Sequence, residues 1–180
     1  MKKNLLCTLL VFFALNCVNA QVIGYGDKII TAGLGFGSYL GGNNYSLVFP
    51  PIGASFEYCI IDYLFDENSA IGVGGYLGYT ANKWRGNEVE VKYTYTAIAG
   101  KGYFHYNFAR DLDTYAGLIL GYNVVGRRIS PANASPHTSS SGLVYSLFLG
   151  ARYYFSPDIG AYAELGYGIA TLELGVAFRL

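Results

Sequence analysis

The chain has 180 residues, of which 52% are hydrophobic and only 13% are charged, and its formal net charge is zero. This balance excludes the strongly basic surface that nucleic-acid binding requires, and three cysteines are too few for a disulfide framework. Beyond residue 20 no apolar stretch approaches the roughly 20 residues that span a bilayer as a helix. The apolar groups are therefore expected in strands.

Residues 1–20 have the pattern of a cleavable secretory signal. Two lysines precede an apolar segment, which ends in small residues before Ala20, and this order predicts export and cleavage after Ala20. A lipoprotein signal at Cys17 and an uncleaved anchor are the alternatives, but the residue before Cys17 is bulky and the apolar segment is too short to span. Cleavage leaves residues 21–180 as one domain with a net charge of −2 and one cysteine, Cys59.

Eight segments after the signal alternate apolar residues with small, aromatic or charged ones. A period of two predicts β-strands, and no proline interrupts a strand core. The predicted strands are residues 28–39, 51–61, 70–81, 91–106, 114–126, 143–155, 159–168 and 171–180. An even number of strands behind an export signal predicts an all-β, eight-stranded, antiparallel up-and-down transmembrane β-barrel.

The connections between these strands are unequal in length. Residues 40–50, 82–90 and 127–142 are predicted outer loops, whereas 107–113 and 156–158 are predicted inner turns, as in bacterial barrels. The loop at 127–142 is rich in serine and proline and lacks apolar periodicity. We expect it to be mobile.

Charged residues indicate which face of each strand points into the barrel. A lysine or arginine facing lipid at mid-bilayer costs about 2–4 kcal/mol, so we place the mid-strand charges inward. In the fourth strand this rule turns Lys101 and His105 inward, and the residues that alternate with them then face lipid. The inward set balances three acids with three bases: Glu57, Lys101, Arg152, Glu164, Glu173 and Arg179. Because buried charges need partners, we expect ion pairs, among them Arg152 with Glu164, in a polar lumen that eight strands allow side chains to fill.

The chain resembles small eight-stranded outer-membrane β-barrel proteins of the OmpA/OmpX-like type in Gram-negative bacteria. The resemblance is carried by the block Gly150-Ala151-Arg152-Tyr153-Tyr154-Phe155, followed by Ala163-Glu164-Leu165-Gly166-Tyr167-Gly168. The resemblance covers essentially the whole mature chain. It implies a monomer in the cell outer membrane, inserted by the barrel-assembly machinery and in contact with outer-membrane lipid and lipopolysaccharide. The terminal residue of such barrels is usually aromatic, and here it is Leu180.

No catalytic, cofactor or metal site is predicted. His105 is interpreted as a hydrogen-bonding lumen residue, and the glycine-rich segments 33–37 and 72–75 are interpreted as strand glycines that make room for lumen side chains, because no helix follows them. At the outer rim, Trp84, Arg85, Arg127 and Arg128 are candidates for contact with lipopolysaccharide phosphates, since arginine pairs well with phosphate.

These observations favour a non-enzymatic integral outer-membrane protein with a structural or surface-interaction role. Two alternatives remain open: a narrow passive pore for small solutes, and an enzyme that acts on lipid A at the outer rim. A soluble lipocalin-like barrel is disfavoured, because it requires an apolar lumen and a polar exterior.

Overall fold

The computed structural model describes residues 23–37, 45–86, 89–130, 140–166 and 169–180. Its strands are β1 (Lys28–Phe36), β2 (Tyr45–Asp62), β3 (Ser69–Gly86), β4 (Val89–Ala109), β5 (Leu112–Ser130), β6 (Gly142–Tyr154), β7 (Ile159–Gly166) and β8 (Leu172–Arg179). Each strand pairs antiparallel with the next, and β8 pairs with β1, so the sheet closes. The closed eight-stranded fold confirms the prediction. The predicted signal, residues 1–20, and most of the predicted mobile loop, residues 131–139, lie outside the described residues.

The two faces of the barrel have opposite chemical character. Large apolar side chains such as Ile98, Leu120 and Leu147 cover the outer face, whereas the lumen holds buried charges, among them Lys101 and Arg152. This arrangement is expected for a barrel that has lipid around its outer face and paired polar groups in its lumen. Within the described residues, no helix is long and apolar enough to cross a bilayer.

The strands differ greatly in length, and here the sequence prediction was wrong. Strands β3, β4 and β5 have 18, 21 and 19 residues, but β7 and β8 have eight each. Residues 45–50 belong to β2, the predicted loop 82–90 is largely strand, and 127–130 extend β5. The alternation seen lower in the barrel fades there, because outward positions such as Lys83, Lys92 and Arg128 are polar once the strands leave the membrane.

We call the extension of β2–β5 beyond the short strands the blade, and it consists of residues 45–50, 80–86, 89–96 and 124–130. Strands β3, β4 and β5 stay in register up to the pairs of Gly86 with Val89 and of Glu90 with Ser130, whereas the pairing of β2 with β3 shifts on either side of Phe49. Strand β1 pairs with β2 only as far as the pair of Leu34 with Ile52. The blade therefore extends beyond the other described strands at this end of the barrel.

The opposite end of the barrel, the short-turn end, carries the short connections and both ends of the described chain. Arg110 and Asp111 alone connect β4 to β5, and Asp111 adopts the left-handed conformation with φ of 60°. The side chain of Ile23 is fully buried against Ile29, Cys59 and two alanines. This apolar layer closes the lumen at the short-turn end.

Candidate functional sites in the lumen and on the blade

Four charged side chains cross the lumen above this apolar layer, and we call them the central cluster. Arg152 Nη2 lies 2.5 Å from Glu57 Oε2, and Arg152 Nη1 lies 3.2 Å from Asp113 Oδ2. The ring of His105 lies between the same carboxylates, with Nδ1 2.8 Å from Asp113 Oδ1 and Nε2 2.7 Å from Glu57 Oε1. All four are at most 1% exposed. Two acids and two bases are thus in mutual contact across the barrel, while Arg152 Nε is buried without a hydrogen-bond partner in the described part of the chain.

Strand register and barrel closure together assemble the central cluster. Asp113 on β5 is directly opposite Arg152 on β6, and it is diagonal to His105, whose β5 partner is Tyr115. Glu57 arrives from β2, on a different side of the barrel. A Cβ atom on Gly72 would lie 2.7 Å from Glu57 Oε1, so a glycine at this position leaves space for the carboxylate, as the sequence predicted for the strand glycines.

Aromatic rings separate the central cluster from a second group of charges. The guanidinium carbon of Arg152 lies 4.3 Å from the ring centre of Tyr115, and the rings of Tyr103 and Phe148 contact each other edge to face at 5.3 Å. The ammonium of Lys101 lies 4.1 Å from the ring centre of Phe148. Such cation–π contacts favour a desolvated cation, so the rings help to keep both cations in the lumen.

The second group, which we call the upper layer, lies nearer to the blade. Lys101 Nζ donates to both carboxylate oxygens of Glu164, at 2.8 and 2.9 Å. Glu173 accepts hydrogen bonds from the hydroxyls of Tyr76, at 3.2 Å, and of Tyr162. Above this layer, a cavity of about 40 Å³ is lined by small and apolar side chains together with the two glutamates.

The pairing predicted between Arg152 and Glu164 is wrong. The two residues are diagonal neighbours, since Arg152 is opposite Tyr162 and Glu164 is opposite Gly150, but each has a different partner. Arg152 contacts Glu57 and Asp113, and Glu164 contacts Lys101. A long side chain in a narrow barrel reaches across the lumen as readily as along the sheet, so cross-strand distance alone does not select the partner.

Arg179 also departs from the predicted paired core. It lies at the short-turn end, where its Nε is 3.9 Å from Asp27 Oδ2 and its guanidinium is 4.5 Å from the ring centre of Tyr154. The structure therefore brings five of the six predicted residues into the two lumen layers: Glu57, Arg152, Lys101, Glu164 and Glu173. It places Arg179 at the end of the barrel.

Sequence reasoning missed Asp113, because it assigned residues 107–113 to a turn. The alternation in the sequence did indicate its direction. Asp113 lies an even number of residues from Tyr115 and Ile119, which face inward from β5, so it shares their face of the strand. Extending the alternation by one more inward position would have placed this carboxylate in the lumen. With Asp113 in place, His105 has two acidic partners instead of an unspecified hydrogen bond.

The chemistry available to the central cluster is limited by its own contacts. Both ring nitrogens of His105 face carboxylate oxygens, so neither is free to take a proton from a bound substrate. Cys59 is a buried free thiol in the apolar layer. Among the described residues, no group of three or more His, Cys, Asp or Glu side chains could hold a metal ion. The geometry suits a packed structural core.

The blade has an aromatic inner face and a basic outer face. On the inner face Val91, Tyr93 and Tyr95 are buried, with Tyr45 and Trp84 packed against them. On the outer face Lys83, Lys92 and Arg128 stand in one row across β3, β4 and β5, because Lys92 pairs with both of the others. We call these three residues the basic row.

A salt bridge caps the blade one row further out. Arg85 is opposite Glu90, and its Nε donates to Glu90 Oε2 at 2.7 Å, while Lys83 Nζ lies 3.5 Å from the same oxygen. The hydrogen bond from Arg85 holds the pKa of Glu90 below its usual range. Within the described chain, neither Lys92 nor Arg128 is within ion-pair distance of a carboxylate.

The four rim residues singled out from the sequence are thus divided between two faces. Arg85 and Arg128 lie on the outer face, Arg128 within the basic row and Arg85 beside it. Trp84 packs into the inner aromatic group, and Arg127, which pairs with Tyr93, belongs to the inner face as well. Trp84 and Arg127 therefore face away from surrounding lipid, because adjacent strand positions face opposite sides, and their contact with lipopolysaccharide stays a prediction.

No family model matches the chain, and no curated protein matches it. Similar solved structures include the outer membrane protein OprG from Pseudomonas aeruginosa, with a TM-score of 0.54 at 10% identity over 87% of this chain and 96% of OprG. Ail, the attachment invasion locus protein of Yersinia pestis, solved with the heparin analogue sucrose octasulfate, has a TM-score of 0.51 at 16% identity over 87% of this chain and 100% of Ail. A designed transmembrane β-barrel has a TM-score of 0.50 at 15% identity, over 88% and 98%.

These likenesses are structural, at identities too low to say more than the fold. The chain has the fold of a small transmembrane β-barrel. The expected likeness to small outer-membrane barrels is confirmed at that level.

Proposed function

We propose that this protein is an exported, monomeric, non-catalytic barrel of the Gram-negative outer membrane, whose blade binds the phosphate groups of lipopolysaccharide through the basic row. In this proposal the barrel-assembly machinery inserts the chain. The blade faces outward and the short-turn end faces the periplasm, as the short turns of bacterial barrels do.

The filled lumen is the observation that favours a structural or interaction role over transport. Fully buried charges of the central cluster, with the apolar layer around Ile23 beneath them, occupy the cross-section of the barrel. Opening a water path would require separating ion pairs that are at most 1% exposed. Removing one partner of such a pair costs about 3–5 kcal/mol, so a stable open channel is disfavoured.

The basic row supports the choice of lipid partner. Cross-strand neighbours have Cβ atoms about 4.5–5.5 Å apart, so Lys83, Lys92 and Arg128 form a cationic strip roughly 10 Å wide on the face that surrounding lipid reaches. Along β4 the outward positions change from Ile98 through two threonines to Lys92. The strip thus lies just beyond the apolar belt, at the depth of lipid phosphates.

A lipid-dependence experiment tests this proposal. The protein is reconstituted in bilayers of neutral phospholipid with or without lipopolysaccharide, and urea unfolding is followed by gel mobility. We expect lipopolysaccharide to stabilise the wild type, at about 1 kcal/mol per cation near an anionic surface. The triple variant Lys83→Gln, Lys92→Gln, Arg128→Gln should lose most of that increment, whereas Arg110→Gln at the short-turn end should retain it.

The outcome that refutes the lipid contact is an equal increment in the triple variant and in Arg110→Gln. The pore alternative is tested separately by planar-bilayer recording of the pure wild-type protein. A closed lumen predicts no large, stable conductance, and reproducible porin-sized currents would replace the structural role with transport.

A further inference from the structure

The cavity above the upper layer has no part in the function proposed above. Its volume of about 40 Å³ is enough for two or three water molecules at roughly 10–15 Å³ each. Most of its wall is apolar, and small side chains keep it open: the wall includes Ala97, Ala99, Ile119, Val144, Phe148 and Ala170. The carboxylates of Glu164 and Glu173 lie at its base, on the side of the upper layer.

Of the two carboxylates, only Glu164 has a cation within ion-pair distance among the described residues. Glu164 and Glu173 are directly opposite each other on β7 and β8, a position in which like charges destabilise a sheet. Lys101 donates to both oxygens of Glu164. Glu173, 8% exposed, accepts only from tyrosine hydroxyls, and in the described part of the chain no Lys, Arg or His nitrogen lies within ion-pair distance of it.

We propose that this cavity binds a small primary ammonium ion that carries a short alkyl group. The ammonium would donate hydrogen bonds to Glu173 and supply the missing positive charge, since a buried carboxylate is costly without a cation. The alkyl group would contact Ala97, Ala99 and Ile119. Apolar walls offer too few oxygen ligands for a divalent metal ion, and they favour an organic cation. This inference does not depend on the lipid contact.

The binding test uses ethylammonium as the probe, because its three non-hydrogen atoms match the size of the cavity, and ethanol as its neutral counterpart. Amide chemical shifts are recorded by NMR for the wild-type barrel in phospholipid nanodiscs. We expect ethylammonium to shift the amides of Ala97, Ala99 and Gly166 saturably, and ethanol to leave them nearly unchanged. The variant Glu173→Gln keeps the size and an acceptor for the tyrosines but removes the charge, so its affinity should fall by at least about tenfold.

Two further variants separate binding from folding. Glu90→Gln removes a carboxylate on the blade, away from the cavity, and should bind ethylammonium like the wild type. Ala99→Leu fills the cavity and should abolish the saturable shifts while compact gel migration shows that the barrel is folded. Urea unfolding gives a second readout: ethylammonium should stabilise the wild type and not Glu173→Gln.

Three results would each overturn the proposal. The first is an equal response to ethylammonium and ethanol, which would mean apolar partitioning. The second is unchanged affinity in Glu173→Gln or in Ala99→Leu. The third is a wild type without saturable shifts, which would mean that water alone fills the cavity and that Glu173 is neutralised by a proton.

Discussion

Replacing Arg152 by leucine tests the central cluster most directly. Leucine fills much of the same space but removes both ion pairs, at 2.5 Å to Glu57 and 3.2 Å to Asp113. Unit charges about 4 Å apart interact by roughly 4 kcal/mol at an effective dielectric constant near 20, and removing one partner of a buried pair costs about 3–5 kcal/mol. Because His105 still contacts both carboxylates, we expect the lower end, about 3 kcal/mol.

The assay is urea unfolding in lipid vesicles, with the compact unboiled species on gels reporting the folded barrel. A loss of about 3 kcal/mol raises the unfolding constant by roughly a hundredfold. Arg128→Leu makes the same chemical change on the outer face of the blade, and we expect it to alter stability by less than about 0.5 kcal/mol. The comparison separates loss of the lumen contacts from a general effect of losing an arginine.

Double-mutant cycles then identify the partner of Arg152. A cycle of Arg152→Leu with Glu57→Gln should show a coupling of about 1–3 kcal/mol, whereas a cycle with Glu164→Gln should stay within about 0.5 kcal/mol. The reverse result, a strong coupling to Glu164 and none to Glu57, would refute the observed pairing. A wild-type-like stability for Arg152→Leu itself would show that the central cluster contributes nothing to folding.

Three other outcomes follow from the structure. Gly72→Val should destabilise the barrel by about 1–3 kcal/mol in the same unfolding assay, because the new side chain overlaps the Glu57 carboxylate, and unchanged stability would contradict that placement. Ile23→Ala should cost about 2–5 kcal/mol by leaving a cavity in the apolar layer, and a neutral effect would mean that this residue does not close the short-turn end. The pKa of Glu90 is lowered in the folded protein. Its ion pair should therefore stabilise the blade at pH values above the pKa that Glu90 has in the unfolded chain, and this stabilisation should be lost as the pH falls through the pKa that it has in the folded protein. NMR titration of its carboxyl should show the pKa returning toward the ordinary value in Arg85→Ala, and an identical pKa in that variant would exclude the contact.

The sequence alone was sufficient for the architecture and for placing five of the six predicted charged residues in the lumen. Alternation is a local property with a period of two, and one charged residue is enough to fix which face is inward, because the cost of facing lipid is large. Lys101 fixed the phase of β4 in this way, although the tyrosines on the same face suggested the opposite. The lumen residues Glu57 and Arg152 followed from the same rule.

Strand length could not be read in the same way. In the blade, Lys83 and Lys92 face outward beyond the apolar belt, so polar residues occupy a face that is apolar lower down. Hydropathy then resembles that of a loop, although hydrogen bonding between neighbouring strands and the packing of Trp84 on the inner face keep residues 82–86 in a strand. The same difficulty hid Asp113, since a charged residue beside a turn has no local signal that places it inside.

Which charged residues of the lumen contact each other was decided by the tertiary structure. Glu57 and Arg152 are 95 residues apart and lie on strands that are not neighbours in the sheet, so no cross-strand spacing relates them. Closing eight strands into a barrel makes the lumen narrow enough for one guanidinium to reach carboxylates on two strands at once. The sequence determined which charges enter the lumen, and the closure of the barrel determined which of them meet.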